Sequence, residues 1–239
     1  MLATKPTTTE AIIATLGNLT QKDPSISLTK YHKGIPLSDD IRVVDIQPDC
    51  ATIRASRREI FPCLKGEVHL HSQKFPKSFF GRIHPIDFSQ GTFLLSDLAY
   101  EDWTERNCER VQPKESLYVN LHHDKGNFRV FLKDISVNGM GILGYKTIDP
   151  SNQLGVGEKV MLGFQLSGGE PLLILTGKLV YRRKISWEMV QFGIQLFPNA
   201  DQKDTLEQFI SHRKDDILDE IDRAYIRSYK PYRVENLYF

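Results

Sequence analysis

The 239-residue sequence predicts a mainly β protein: two small β-barrel domains in tandem, with a short N-terminal helix and a long C-terminal helix. From residue 41 onwards, apolar residues alternate with polar ones in short segments, which is typical of half-buried strands. A charged stretch without a clear period, residues 98–112, separates two groups of such segments. After residue 199 the apolar spacing becomes helical. These three observations favour two barrels followed by a helix.

The N-terminal region, residues 1–24, is predicted to hold the first helix and a lead-in. Thr7 and Glu10 fit a capping box, with Thr7 as the N-cap and Glu10 three positions into the helix. Residues 23–40 are expected to be loop, because Asp-Pro, Gly and Pro punctuate them. A first β-barrel domain is placed at residues 25–97. Its expected strands are 41–44, 51–54, 67–71, 79–83 and 92–95.

The second half follows a similar plan. Residues 98–112 are interpreted as a linker, residues 113–198 as a second barrel, and residues 199–230 as the C-terminal helix. The expected strands are 117–121, 128–132, 141–143, 159–165, 172–182 and 190–196. Asp124–Asn127 and Ser167–Glu170 are expected to be hairpin turns. The helix is predicted to bury one face, and the same apolar spacing leaves a homodimer through this helix open.

Composition excludes several classes of function. Lys and Arg number 31 and Asp and Glu 30, so the net charge is +1. A binder of nucleic acid polymers gains affinity from many phosphate contacts, and this balance argues against one. A small anionic ligand held by a few arginines is compatible with it. The three cysteines form no CxxC pair, so neither a disulfide framework nor a metal site is indicated.

Targeting signals are expected to be absent. The first residues contain no long apolar region, and the longest aliphatic stretch, Leu172–Leu175, is far shorter than the ~20 residues of a membrane-spanning helix. We therefore expect a cytoplasmic protein without direct membrane insertion. Residues 235–239 resemble the start of a protease-site linker and are interpreted as an expression-tag remnant.

One constellation of residues has a specific chemistry. Arg106 and Arg110 lie four residues apart in the linker, and Asp134, Ser136 and Gly139 follow a predicted strand. Guanidinium groups can form bidentate hydrogen bonds with phosphate oxygens or with O6 and N7 of guanine, and they can stack on a purine. A carboxylate can accept from guanine N1–H and N2–H, a serine adds a hydroxyl, and a glycine permits close backbone approach. The set fits a guanine nucleotide.

These residues resemble the signature of the PilZ domain family, RxxxR followed by (D/N)xSxxG. The similarity continues in Gly157–Val160, Gly177–Arg182 and Phe192–Leu196, where Leu196 replaces the usual Phe. It covers roughly residues 103–227, and residues 1–97 resemble the N-terminal β domain of flagellar-brake-type members. The resemblance implies a cyclic di-GMP ligand, with Arg106, Arg110, Asp134, Ser136 and Gly139 as the binding residues. The sequence offers neither a metal-ligand spacing nor a catalytic set, so we expect no metal and no enzyme activity.

The resemblance also implies a function. It predicts a receptor whose interdomain arrangement changes on binding and which regulates flagellar motility through motor or stator proteins. Family members often carry a further arginine beside the pair, whereas here Glu105 precedes Arg106. The number of bound nucleotides therefore stays open. The alternative is a ligand-free adaptor of the same family that acts only through protein contacts.

Three other patterns are weaker. Asp124 follows two histidines, as in some metal phosphohydrolases, but the segment is predicted to be a strand entering a turn. His69 and His71 would share one face of a strand, without a third metal ligand. A second RxxxR pair, Arg54 and Arg58, lies 76 residues before Asp134 and lacks the companion motif.

Overall fold

The computed structural model describes residues 8–20, 26–73, 75–102, 108–145, 154–166 and 171–234. The chain divides into two compact units. The first comprises Met1–His32, Pro36–Glu105 and Leu218–Phe239, and the second comprises Lys33–Ile35 and Arg106–Ile217. The predicted fold class is confirmed, because each unit contains a closed six-stranded barrel and the chain carries one short and one long helix.

The first barrel follows helix α1 (Thr8–Thr20) and closes in the order β1-β2-β3-β6-β5-β4. Inward-facing apolar side chains alternate with exposed ones along its strands, and Phe61, Phe79 and Phe93 fill its core. The elements are β1 (Ile26–His32), β2 (Ile35–Ile46), β3 (Ala51–Ala55), a 3₁₀ helix (Arg58–Cys63), β4 (Gly66–His71), β5 (Phe79–Asp87) and β6 (Thr92–Tyr100).

The expectation of a loop over residues 23–40 is wrong, because β1 and β2 occupy most of it. Lys33 and Gly34 have φ angles of +49° and +96°, which is the backbone of a tight turn whose twist suits a hairpin. The pattern of β2 is obscured by Asp39, a charged residue at an inward-facing position. Its carboxylate accepts a hydrogen bond of 2.9 Å from the Arg57 backbone N–H, which compensates its burial.

The second barrel closes in the order β10-β11-β12-β9-β8-β7. Its strands match the expected segments in number and order, with ends that differ by a few residues. They are β7 (Tyr118–His123), β8 (Gly126–Ser136), β9 (Gly139–Tyr145), β10 (Lys159–Phe164), β11 (Leu173–Lys184) and β12 (Met189–Leu196). The expected turn at 124–127 lies between β7 and β8, whereas the expected turn at 167–170 lies outside the described residues.

Helix α2 (Ala200–Val234) begins at a reciprocal cap. The Asn199 side chain accepts a hydrogen bond of 2.9 Å from the Gln202 backbone N–H, and the Gln202 side chain accepts one of 3.0 Å from the Asn199 N–H. Four of the six apolar residues of its predicted face are buried, and Phe209 and Tyr225 are partly exposed; the buried four are Leu206, Ile210, Ile217 and Ile221. A homodimer through this helix stays a prediction.

Two further expectations concern the ends of the chain. Thr7 and residues 235–239 lie outside the described residues. No helix in the described ranges has both the length and the apolar character needed to cross a membrane.

Candidate functional site

A short backbone pairing organises the site. Val111 and Ile135 form an antiparallel bridge in which each N–H donates to the other's carbonyl, at 2.9 and 3.0 Å. Both side chains are fully buried, so the bridge is anchored in the core of the second unit. It fastens the chain just after Arg110 to the end of β8, just after Asp134. The 24-residue spacing therefore brings two distant residues side by side.

Arg110 and Asp134 form an ion pair across this bridge. Arg110 Nη1 lies 3.5 Å from Asp134 Oδ1, and the side chains are 33% and 15% exposed. A long, partly solvated pair contributes only about 0–1 kcal/mol. Either group can therefore give up this ion pair and bind a ligand instead, at a small cost in free energy.

Ser136 and Gly139 close the two-residue turn between β8 and β9. They are paired in the ladder, and the Ser136 hydroxyl donates to the Gly139 carbonyl at 3.1 Å. Ser136 is buried, with 2% of its surface exposed. The Ser136 hydroxyl hydrogen is thus bonded within the turn and stabilises its shape. The hydroxyl oxygen still has lone pairs that can accept a hydrogen bond.

Gly139 is suited to close approach rather than to an unusual φ angle. A Cβ atom there would lie 3.4 Å from Ser136 Oγ and 3.7 Å from Arg110 Nη2. The missing side chain thus leaves the edge of the Arg110 guanidinium open at the turn. The structure thus accounts for this glycine by the space that it leaves.

Gly141 is a site residue that the motif does not reveal. It pairs with Asp134 across the ladder. A Cβ atom at Gly141 would lie 2.8 Å from Asp134 Oδ1, closer than real Cβ contacts allow, and 3.1 Å from Oδ2. Glycine at this position therefore gives the carboxylate the room for its observed orientation. The sequence signal was available in the alternation Gly139-Met140-Gly141, once Asp134 and Gly141 are recognised as cross-strand partners.

The other described charges beside Arg110 are balanced. Lys214 Nζ lies 2.5 Å from Glu109 Oε1, so the acidic neighbour of Arg110 has its own partner. Arg213, which is 4% exposed, donates from Nε to the Gln112 carbonyl at 2.9 Å and so fixes the chain on the other side of Val111. The Asn138 amide contacts Cys108 Sγ at 3.6 Å. Helix α2 and the β8–β9 turn thus both hold the segment that carries Arg110.

The structure places four of the five sequence-predicted residues together: Arg110, Asp134, Ser136 and Gly139. Arg106 and Glu105 lie outside the described residues.

The weaker candidates have other partners. His122 Nδ1 lies 2.8 Å from Asn127 Oδ1, and His123 Nε2 lies 3.6 Å from Glu158 Oε2. His69 Nδ1 lies 2.7 Å from Glu101 Oε1. Within the described part of the chain, no group of three or more His, Cys, Asp and Glu side chains could hold a metal ion. A cavity of 720 Å³ borders His122 and His123, but none of the predicted binding residues lines it.

The family model of the PilZ domain matches residues 104–212. This stretch is therefore similar to the PilZ domain family, as the sequence motif indicated. The match includes the whole second barrel, the first turns of α2 and all five predicted binding residues.

Solved structures similar to this chain include the following proteins of three bacteria. YcgR of Escherichia coli in complex with c-di-GMP has a TM-score of 0.46 and 14% identity, over 89% of this chain and 93% of that one. MrkH of K. pneumonia in complex with c-di-GMP has a TM-score of 0.46 and 15% identity, over 91% and 97%. The Bacillus subtilis inhibitor of motility, MotI/DgrA, has a TM-score of 0.43 and 14% identity, over 81% and 96%. The search of curated proteins gave no match.

Proposed function

We propose that this chain is a receptor for cyclic di-GMP and that it binds the nucleotide at the Arg110–Asp134 site of its PilZ domain. One observation carries the proposal. The Val111–Ile135 bridge holds a guanidinium 3.5 Å from a carboxylate, beside a turn that lacks a side chain at Gly139.

The two charged groups match different parts of the ligand. The Arg110 guanidinium can form bidentate hydrogen bonds with a phosphate or with O6 and N7 of guanine. Asp134 can accept from guanine N1–H and N2–H, which neither adenine nor a pyrimidine offers in that arrangement. A hydrogen bond to a charged group contributes about 1.5–3 kcal/mol, against about 0–1 kcal/mol for the partly solvated ion pair that it replaces. The exchange therefore favours the bound state.

The remaining residues shape the site. Ser136 keeps the β8–β9 turn closed through its bond to the Gly139 carbonyl, and Gly139 leaves the guanidinium edge open to a ligand. We propose Arg106 as the second arginine of the pair because of its position in the family motif. Its guanidinium would bind the other phosphate or stack on a guanine face.

The proposed role is that of a receptor rather than an enzyme. The residues of the site can bind and orient a nucleotide, and they include no nucleophile paired with a base. By its resemblance to flagellar-brake-type PilZ proteins, we assign the chain to the control of flagellar motility through motor or stator proteins.

We further propose that binding changes the arrangement of the two barrels, because a ligand that favours one arrangement shifts the population towards it. Small-angle scattering with and without saturating nucleotide tests this step. An unchanged scattering profile would contradict the rearrangement and leave nucleotide binding intact.

Calorimetric titration with cyclic di-GMP tests the binding itself, using the full chain, Arg110→Ala and Arg54→Ala. Arg110→Ala should weaken binding by about 10- to 100-fold, from the loss of about 1.5–3 kcal/mol. Arg54→Ala is the matched control, since it removes an exposed arginine of another RxxxR pair, and it should leave affinity unchanged. No heat and no thermal stabilisation of the wild-type chain would favour the ligand-free adaptor. Loss of binding in Arg54→Ala alone would place the nucleotide on the first barrel.

A further inference from the structure

The hairpin between β11 and β12 ends in two exposed apolar side chains. Trp187 is 75% exposed, the highest value for a large apolar residue in the described part of the chain, and Ile185 is 48% exposed. Exposing an indole ring to water to this extent is unfavourable, because apolar area gains about 25 cal/mol per Å² on burial. A pair of such residues at one tip indicates a contact surface.

Four of the five backbone N–H groups at residues 185–189 have a hydrogen-bond partner within the tip. The N–H groups of Ile185 and Ser186 both donate to the Met189 carbonyl, at 3.0 and 3.2 Å. The Ser186 hydroxyl oxygen accepts from the N–H groups of Glu188 and Met189, at 3.2 and 3.1 Å. Four donors around the tip are therefore satisfied without help from outside. This matters in a lipid environment, where an unpaired backbone donor finds no partner.

Three consecutive basic residues precede the tip. Arg182, Arg183 and Lys184 are all exposed, and no ion pair among the described residues involves their side chains. Glu188 is the acidic residue of the tip, so residues 182–188 carry a charge of +2. At about 3.3 Å per residue, Arg182 lies ~10 Å behind Ile185 along the strand. This spacing places the cations at the depth of lipid headgroups when an apolar tip enters the interface by about 5–10 Å.

We infer that this hairpin docks the second barrel onto the surface of an anionic phospholipid bilayer. The indole of Trp187 and the side chain of Ile185 would enter the interfacial region, where Trp is favoured, and the three cations would face lipid phosphates. The internally bonded donors and the three cations favour an anionic lipid surface over a protein partner, which could offer hydrogen-bond groups of its own. The contact is peripheral and shallow, and it differs from the direct membrane insertion that the sequence argues against.

The ladder registers separate this surface from the nucleotide site. Met189 pairs with Tyr145 at one end of β9, and Gln195 pairs with Gly139 at the other. Six residues of strand, about 20 Å, lie between the two ends. Docking through the tip therefore leaves the Arg110–Asp134 site free, and the inference does not depend on the proposed ligand.

Vesicle co-sedimentation of the full chain tests the inference. The vesicles contain 30% phosphatidylglycerol in phosphatidylcholine, with pure phosphatidylcholine as the uncharged reference. We expect binding to the anionic vesicles only, weakening as salt rises. Vesicles with brominated acyl chains should quench the tryptophan fluorescence of the wild-type chain but not that of Trp187→Ser, which retains Trp103.

Matched variants locate the contact. Replacing Arg182, Arg183 and Lys184 by Gln should reduce vesicle affinity by about fivefold per charge. The control replaces three other exposed basic residues by Gln, giving the same net charge: Lys77, Lys203 and Arg223. Val156→Ser, at an apolar residue that is 64% exposed, is the control for Trp187→Ser. Both controls should bind vesicles like the wild-type chain.

One variant should gain affinity. Glu188→Gln removes the negative charge of the tip and should strengthen binding by about fivefold. Such a gain requires a folded hairpin, so it separates lipid contact from simple misfolding.

Three results would overturn the inference. The wild-type chain could fail to bind anionic vesicles, or the hairpin variants could bind as well as their controls. Alternatively, the hairpin variants could alter self-association in ultracentrifugation while vesicle binding stays unchanged, which would assign the tip to a second copy of the chain.

Discussion

Gly141→Ala tests whether the position of the Asp134 carboxylate decides ligand binding. The added Cβ would lie 2.8 Å from Asp134 Oδ1, and no relaxed structure keeps both atoms there. The strand has an ordinary φ angle at this residue, and the atom in the way is the far end of a rotatable side chain. We therefore expect the carboxylate to turn away while the barrel stays folded.

The magnitude follows from the bonds that the carboxylate would lose. One hydrogen bond from guanine to a charged acceptor contributes about 1.5–3 kcal/mol, so affinity for cyclic di-GMP should fall by about 10- to 100-fold. Gly144→Ala is the control on the same strand. Its Cβ would lie 3.6 Å from the nearest atoms of Phe192 and Val130, an ordinary contact distance.

Calorimetry measures affinity in this experiment, and thermal unfolding verifies that both variants fold. Wild-type affinity in Gly141→Ala would refute the role assigned to the carboxylate. An equal loss in Gly144→Ala would show that any added methyl group on β9 disturbs the site, and would remove the specific role of Gly141.

The remaining predictions concern the site and the barrel. Arg110→Lys should restore little of the affinity lost in Arg110→Ala, because an ammonium keeps the charge but loses the fork and the stacking plane, as calorimetry can measure. Ser136→Ala should weaken binding by about tenfold at most, since a neutral hydrogen bond contributes about 0.5–1.5 kcal/mol, and a larger loss would contradict the secondary role of this hydroxyl. In the folded chain, the Lys125 ammonium and the Gly155 N–H hold the pKa of Glu158 below its ordinary 4.5. The ionised form thus stabilises the fold above that value, and the benefit disappears as the pH falls through the lowered pKa. Glu158→Gln should therefore lower the Tm at neutral pH and match the wild-type chain in strong acid; an equal difference at both pH values would contradict this.

The sequence was sufficient to predict the two barrels and to name four residues that the structure brings together. Strands buried on one face show a period of two, and the second barrel has little that disturbs it. In the first barrel the hairpin of β1 and β2 was missed, because Asp39 sits at an inward-facing position and breaks the apolar pattern. Its hydrogen bond from the Arg57 backbone is a tertiary contact that no local pattern reveals.

At the candidate site, the sequence named the proposed binding residues but did not indicate how they are held. The Val111–Ile135 bridge depends on the path of the chain before β7, which periodicity does not describe. The role of Gly141 depends on the register of β8 and β9, where an irregularity between Leu132 and Asp134 shifts the pairing. A shift of one residue would have placed another side chain opposite Asp134.

Nucleotide selectivity tests the central claim most directly. The wild-type chain is titrated in the calorimeter with cyclic di-GMP and, separately, with cyclic di-AMP, which has the same phosphates but lacks guanine N1–H and N2–H. If Asp134 reads guanine while Arg110 binds phosphate or the purine edge, cyclic di-GMP should bind at least tenfold more tightly, the equivalent of about 1.4 kcal/mol. Equal affinity for the two nucleotides, or no binding of cyclic di-GMP, would contradict the account.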